Sequence, residues 1–192
     1  MNYKDLLRKQ LIEFSSKGYN RTFTSIYRYQ ETFPFTRIDL PNEKVKNTTI
    51  NPETTIWCSN DYLNMSHNQE VINRMIEVIK EVGTGSGGTR NISGTTPYHD
   101  RLEKKLANFH ERDSALIFTS AYVANQTTIA TLCKRIPNIE VFSDQLNHAS
   151  LIEGIKNSRA SCSIFKHNDL EHLESLLAEK DLNQPKIIVF ES

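Results

Sequence analysis

The chain has no excess of charge of either sign and no long apolar run. Its 192 residues include 23 basic and 23 acidic side chains, so the formal net charge at pH 7 is zero. A neutral chain has no overall field that would attract nucleic acid or an anionic membrane. No stretch approaches the ~18 consecutive apolar residues of a transmembrane helix. We therefore expect no nucleic-acid partner and no membrane association, and any recognition of charge must be local.

Cysteine is scarce and unpaired in the sequence. Cys58, Cys133 and Cys162 are odd in number and far apart, without a C-x-x-C pair or a Cys/His ligand spacing. This pattern favours a reducing compartment and predicts no zinc site. The N-terminal residues lack the apolar run of a signal peptide and include an acid, Asp5, which is untypical of a transit peptide. We predict a cytoplasmic protein.

Glycine is also sparse, yet five of the seven glycines fall within residues 83–94. Such a cluster frees the backbone from side-chain sterics and suggests the close approach of another group. Gly83, Gly85 and Gly88 match the G-x-G-x-x-G pattern of dinucleotide-binding folds, and Glu103 lies at about the distance of their ribose-binding acid. In those folds a strand precedes the glycines, whereas the pattern here predicts a helix. A dinucleotide-dependent oxidoreductase is thus a weak alternative, and the absence of Gly-Lys-Ser/Thr excludes a P-loop.

Polar side chains follow the glycines. Thr89, Arg90 and Asn91 offer donors that suit a carboxylate or a phosphate. An ordinary flexible connection would not need them, so we expect this segment to take part in binding.

The remaining pattern alternates between helix and strand. Apolar spacing predicts helices near residues 4–17 and 66–82, the second with a capping box of Ser66 and Gln69 and a stop at Gly83. A polar connection over 18–55 and a short strand at 55–58 lie between them. After the glycines we predict helices at 102–109, 122–132, 150–156 and 170–177, and strands at 115–118, 139–142, 163–165 and 187–190. This alternation is typical of an α/β fold with a largely parallel sheet.

Two of the predicted strands are each followed by a turn that is suited to ligand binding. Ser120 to Tyr122 follow the strand at 115–118, where a helix N-terminus presents free N–H groups that favour a phosphate. The plain alternative is a βα turn capped by Ser120. His148 follows the strand at 139–142 and would project from the same edge of the sheet. The plain alternative is a structural histidine beside a helix capped by Asn147 or Ser150. A cap is also the simplest explanation of Asn168, paired with Glu171.

Taken together, several strings resemble one enzyme family. They are residues 57–63, 83–95, 143–154, 166–169 and 190–192, which occur in order at familiar spacing. The chain is similar to the α-oxoamine synthases over nearly its whole length, but only to the N-terminal half of such an enzyme. The resemblance implies an incomplete large domain of a fold-type I pyridoxal-phosphate-dependent transferase at 55–192, preceded by an N-terminal helix and extended arm at 1–54.

The resemblance also implies an activity. Within the family, the residues at 89–93 and Arg21 are most similar to the subgroup that condenses glycine with succinyl-CoA, releasing CO₂ and CoA and forming 5-aminolevulinate for haem biosynthesis. Pyridoxal 5'-phosphate would be the cofactor of this acyltransferase, and a homodimer is expected. A relative that uses other amino acids or thioesters, or a non-catalytic fragment that dimerises, remains an alternative.

Site residues are carried over by the same resemblance. Tyr62 would reach the cofactor of the partner subunit, and His148 would stack on the pyridine ring. The cofactor phosphate would lie at Ser120, Ala121 and Tyr122. The substrate-binding residues would be Arg21, Thr89 and Asn91 for the succinyl carboxylate, Ser143 for the acyl-CoA and Asn60 for the amino acid.

Three departures from the family pattern stand out. Asn64 replaces a glycine, which asparagine can do where φ is positive. Cys162 stands where a substrate-contacting lysine is expected. The chain ends before the lysine that would bind the cofactor covalently, so we expect no catalytic residue and no turnover from these 192 residues alone.

Overall fold

The computed structural model describes residues 2–19, 23, 25–39 and 54–191. The chain packs as two compact units, Met1–Gly85 and Ser86–Ser192. The division predicted at residues 54 and 55 stays a prediction. Among the described helices, none is long and apolar enough to cross a membrane.

The first unit combines two helices with a small antiparallel sheet. Helix α1 spans Tyr3–Ser16, as the apolar spacing predicts, and Asn2 caps it by accepting the N–H of Lys4 at 3.1 Å. The strands are β1 (Ser25–Tyr27), β2 (Phe35–Asp39) and β3 (Thr54–Thr55), in the order β1-β2-β3. The strand predicted at 55–58 is therefore confirmed only at its first residue.

Helix α2 spans Gln69–Val82 and follows a 3-10 turn at Met65–His67. Its N-cap is Asn68, which accepts the N–H groups of Glu70 at 2.9 Å and Val71 at 3.3 Å. The predicted capping box of Ser66 and Gln69 is wrong because the Ser66 hydroxyl donates to the Asp61 carboxylate instead. The predicted stop is confirmed, since the N–H of Gly83 closes the helix on the Ile79 carbonyl at 2.9 Å.

The second unit is an α/β layer structure. Its helices are α3 (Pro97–Phe109), α4 (Ala121–Arg135), α5 (Ala149–Ser158) and α6 (Leu170–Ala178), and its strands are β4 (Glu140–Asp144), β5 (Ser161–Phe165) and β6 (Lys186–Val189). The strands are parallel in the order β5-β4-β6, with Val141 beside Cys162 and Ile187. The parallel sheet and its alternating helices are thus confirmed.

One predicted strand is wrong. Residues 115–118 belong to no strand or helix in the described chain, and Leu116 is 66% exposed. The Ile117 N–H donates to the Glu103 carboxylate at 2.9 Å. In the sheet of the second unit β4 lies between β5 and β6, and the apolar run 115–118 pairs with none of these strands.

The core lies between the sheet and the helices α4 and α5. Ile129 and Cys133 of α4 pack with Val141, Ile155 and Val189. The two helices approach closely at Gly154, where a Cβ would lie 3.0 Å from both the Gln126 carbonyl oxygen and the Ile129 Cβ. Burial also raises the pKa of the Cys133 thiol, which therefore remains protonated at neutral pH.

Candidate functional site

The first element of the site is the N-terminus of α4. Ser120 caps it, accepting the Val123 N–H on its hydroxyl at 3.2 Å and the Ala124 N–H on its carbonyl at 3.0 Å. The N–H groups of Ala121 and Tyr122 lie in the first turn, where the helix supplies no acceptor. Ser120, Ala121 and Tyr122 are all exposed. The turn therefore offers two free donors and the positive end of the helix dipole.

The second element is the turn from β4 to α5. His148 is the N-cap of α5, because its Nδ1 accepts the Ser150 N–H at 3.1 Å. Caps by Asn147 or Ser150 were the alternatives, and both are wrong. A backbone N–H can only donate, so the neutral ring carries its proton on Nε2. The His148 N–H in turn donates to the Glu191 carboxylate.

These two turns lie side by side. The rings of Tyr122 and His148 meet edge to face, with centroids 6.1 Å apart and planes at 76°. Asn125 of α4 donates to the Ser150 hydroxyl at 3.1 Å, and the same hydroxyl lies 2.7 Å from His148 Nδ1. The imidazole is thereby held against the beginning of α4. The arrangement places the His148 ring next to the N-terminus of α4.

Beneath His148, the side chain of Asn147 is buried. Its Nδ2 donates to the Ser143 hydroxyl at 2.9 Å and to the Val189 carbonyl at 2.8 Å. Its Oδ1 has no partner among the described residues. Ser143 itself is 5% exposed within β4 and donates to the Asp144 carbonyl at 3.2 Å. Its hydroxyl is thus engaged inside the protein, where it positions Asn147.

A buried carboxylate connects this turn to the next one. Asp144 accepts the N–H groups of Leu146 at 2.8 Å and Asn168 at 3.2 Å, and His167 Nδ1 lies 3.0 Å from its Oδ1. Desolvation by burial raises the pKa of Asp144, but these hydrogen bonds outweigh it and hold the pKa below its usual value. Asp144 therefore stays ionised and fixes the geometry of the His148 turn.

Sequence reasoning missed the pairing of Asp144 with His167. The only signal was that each lies two residues beyond a predicted strand, at 142 and at 165. The cap predicted at Asn168 is also wrong by one residue, because Asp169 caps α6 by accepting the His172 N–H at 2.9 Å. Asn168 instead adopts φ of 54°, which lets its own N–H reach Asp144.

The polar stretch after the glycines divides into two roles. Arg90 is engaged internally through two parallel hydrogen bonds to the Glu103 carboxylate, at 2.9 and 3.0 Å. The Arg90 hydrogen bonds, together with the Ile117 N–H, lower the pKa of Glu103 to about 2. The expectation that Arg90 is a free donor is wrong, and Glu103 is not free to bind a ribose. Thr89 and Asn91 remain exposed on the turn.

The turn itself needs some of the clustered glycines. The Gly94 N–H donates to the Thr89 carbonyl at 2.8 Å, and a Cβ on Gly94 would fall 2.6 Å from the Gly88 carbonyl carbon. The group that lies close to Gly94 is therefore the backbone of the same loop, at Gly88. This packing presents Thr89 and Asn91 outward in a defined conformation.

Two further predicted site residues lie in the first unit. Asn60 and Tyr62 line a cavity of about 880 Å³ together with Arg28 and Trp57. Tyr62 is 87% and Trp57 90% exposed, so neither ring packs into the core of its own unit. Asn64 has φ of 54°, in agreement with its replacing a glycine. Arg21 lies outside the described residues.

Comparison with known proteins assigns the chain to a family. Residues 52–192 match the sequence profile of aminotransferases of class I and II. The chain belongs to the aminotransferase class I and II family. The match includes both turns of the site and the whole parallel sheet.

Individual members of this aminotransferase family refine the similarity. The 5-aminolevulinate synthase of Rickettsia prowazekii is 45% identical over 193 residues, which are 100% of this chain and 44% of the relative. The erythroid-specific, mitochondrial 5-aminolevulinate synthase of Danio rerio is 42% identical over 191 residues, 100% of this chain and 32% of the relative. The chain thus spans less than half the length of the curated relatives it matches.

A solved structure confirms the fold. Serine palmitoyltransferase from S. paucimobilis, determined with PLP and myriocin bound, superposes with a TM-score of 0.74 at 25% identity. The match covers 96% of this chain and 44% of that chain. The predicted fold class, a partial fold-type I transferase domain with a mostly parallel sheet, is confirmed.

Proposed function

We propose that this chain carries part of the active site of a pyridoxal-phosphate-dependent 5-aminolevulinate synthase. The enzyme would condense glycine with succinyl-CoA and release CO₂ and CoA, the first step of haem biosynthesis. The observation that supports this most directly is the contact between the N-terminus of α4 and the His148 ring. The identity of 42–45% to synthases of this name favours it over other acyltransferases of the family.

The residues at the two turns fit the cofactor chemically. The free N–H groups of Ala121 and Tyr122 suit its phosphate, and the small side chains of Ser120 and Ala121 permit a close approach. The imidazole of His148 suits contact with an aromatic ring. When bound, pyridoxal phosphate supplies an electron sink for the negative charge that forms at the α-carbon of glycine.

The chain's own residues would bind and orient the substrates. Thr89 and Asn91 would donate to the succinyl carboxylate, together with the guanidinium of Arg21. Asn60 would contact the amino acid. Ser143 would contact the acyl-CoA from the end of β4, where its hydroxyl accepts from the Asn147 amide.

The remaining parts of the proposal concern assembly and location. We propose a homodimer in which the exposed ring of Tyr62 reaches the cofactor of the partner subunit. Because the chain covers 44% of the R. prowazekii relative, we expect the covalent lysine in the rest of such an enzyme. We propose a cytoplasmic location, although the D. rerio relative is mitochondrial.

Binding of the cofactor can be measured on the 192-residue chain itself. Equilibrium dialysis of pyridoxal phosphate, read by its absorbance, should give saturable binding, and pyridoxal without the phosphate should bind at least about 10-fold more weakly because the α4 donors lose their anion. His148→Ala should weaken the binding of pyridoxal phosphate by a similar factor through loss of the ring contact.

His110→Ala is the matched control. His110 also meets an aromatic ring edge to face, with its centroid 5.0 Å from that of Phe109, but it lies outside the proposed site. This variant should bind pyridoxal phosphate as the original chain does. Equal losses in both histidine variants, or no preference for the phosphorylated compound, would contradict the proposed function.

A further inference from the structure

A second cavity lies on the outer side of α4 and α5, at their C-terminal halves. It has a volume of about 820 Å³ and is lined by hydroxyl, amide and cationic side chains. The residues that matter are Thr127, Thr131 and Lys134 of α4, and Lys156, Asn157 and Arg159 at the end of α5. We call this the α4–α5 groove; it shares no residue with the candidate site above.

The geometry of the groove follows from the two helices. Thr127, Thr131 and Lys134 are spaced by four and three residues, so they form one stripe along α4. Gly154 brings α5 against that helix with no side chain between them, which places its last turn beside the stripe. The position of the groove is thus fixed by the close approach of the two helices at Gly154.

The charged side chains of the groove are all positive, although the chain as a whole has no net charge. Three cations, Lys134, Lys156 and Arg159, line one cavity, and no acidic side chain does. Lys156 pairs with Glu153 at 3.2 Å, an exposed pair that contributes little. In the part of the chain that the structure describes, neither Lys134 nor Arg159 takes part in an ion pair.

Helix ends alone do not explain this arrangement. Cations near a helix C-terminus do interact favourably with the dipole, which accounts for Lys134 and Lys156. Arg159, however, occupies the left-handed region with φ of 60°, a position that favours glycine. The helix dipole also gives no reason for the hydroxyl and amide groups that line the same cavity.

We propose that the α4–α5 groove binds a small molecule that carries two or more linked phosphate groups. Guanidinium and ammonium groups supply the charge, and the threonine hydroxyls and the Asn157 amide supply further donors, as phosphate oxygens require. The groove, at about 820 Å³, has room for such a molecule. This site is independent of the proposed cofactor site and would hold whether or not the chain binds pyridoxal phosphate.

Isothermal titration of the 192-residue chain with inorganic pyrophosphate at low salt tests the proposal. We expect saturable binding that weakens as salt is raised. Lys134→Gln should weaken it at least about 5-fold. Arg159→Gly should weaken it at least about 10-fold while the melting temperature stays equal or rises, because glycine relieves the left-handed backbone. A residue with a purely structural role would not separate affinity from stability in this way.

Further measurements identify the source of the phosphates. They also define the results that would contradict the proposed site. Lys105→Gln, an exposed lysine on α3 outside the groove, should leave the affinity unchanged. Equal affinities for triphosphate and ATP would assign the groove to the phosphate chain alone, and tighter ATP binding would assign it to a nucleotide. Absence of saturable binding for all three phosphates, equal loss in Lys105→Gln, or citrate binding as tightly as pyrophosphate would overturn the proposal.

Discussion

At the scale of single residues, the ion pairs of this chain differ by what surrounds them. Lys17 and Glu13 form an exposed pair one helical turn apart, of a kind that contributes little to stability. Arg90 and Glu103 are joined by two parallel hydrogen bonds, and the Ile117 N–H adds a third donor to the carboxylate. This second pair connects the glycine-rich turn to α3 and to the segment that leads into α4.

The first prediction concerns Glu103→Gln. The pKa of Glu103 is lowered to about 2, so its contribution to stability is present above the ordinary carboxylate value and is lost as the pH falls through the folded value. We expect the variant to melt at a lower temperature at pH 7. Between pH 4.5 and 2 its melting temperature should fall less steeply than that of the original chain. Thermal unfolding followed by circular dichroism measures both effects.

Glu153→Gln provides the comparison. Glu153 also faces a cation, Lys156, at 3.2 Å, but only one hydrogen bond joins the pair. Its removal should leave the pH profile of unfolding nearly unchanged. Identical profiles for Glu103→Gln and the original chain would show that the Arg90 pair does not tie the turn to α3.

The role of a residue was predictable where a short stretch of sequence determined it. His148 could be placed because it lies in the turn after β4, at the edge of the sheet where the parallel strands end. Ser120 was placed as a helix cap, and that cap forms although the strand predicted before it does not. The internal pairing of Arg90 was missed because Glu103 lies 13 residues away, on another element. Asp144 and His167 were missed for the same reason, being 23 residues apart. The spacing of residues along the chain contains no information on contacts that form only when separate elements pack together.

At the scale of elements, the crossing of α4 and α5 organises the second unit. Ile129 and Cys133 of α4 and Ile155 of α5 meet the sheet residue Val141 in one core. The crossing is close because residue 154 has no side chain. The position of the site at one end of α4 and of the groove at the other depends on this contact.

The second prediction is that Gly154→Ala destabilises the chain by about 1–3 kcal/mol through overpacking. The added Cβ would lie 3.0 Å from the Gln126 carbonyl and from the Ile129 Cβ, both of which belong to a rigid helix. Urea denaturation should show a lower midpoint with an unchanged slope. Gly85→Ala is the control, because a Cβ there meets nothing within 4 Å. A stability change of the same size in both variants would contradict the close crossing.

Helices and strands were predictable where the spacing of their own apolar residues defined them. The helices α1 to α6 and the strands β4, β5 and β6 all appear near their predicted positions. Caps were less accurate, since Asn68 and Asp169 replace the predicted Ser66 and Asn168. The run at 115–118 has a strand's composition, yet a strand also needs a neighbour. Pairing is a property of the whole sheet, which composition does not reveal.

At the scale of the whole molecule, the sheet of the second unit has open edges. Among the described residues β5 pairs only with β4, and β6 likewise. Exposed apolar side chains lie on or beside these strands, including Ile164 at 64% and Phe190 at 70%. An open edge with apolar side chains is a template for association with another chain.

The last prediction follows from the open edge of β5. We expect the 192-residue chain to associate as its concentration rises, and Ile164→Lys to reduce this association because a charge on an edge strand opposes pairing. Light scattering over a concentration series measures the effect, and the midpoint of unfolding should change little because residue 164 is largely exposed. Leu182→Lys adds the same charge at a residue that is 95% exposed in the turn before β6, outside the strands. If both variants reduce scattering equally, net charge rather than the β5 edge controls the association.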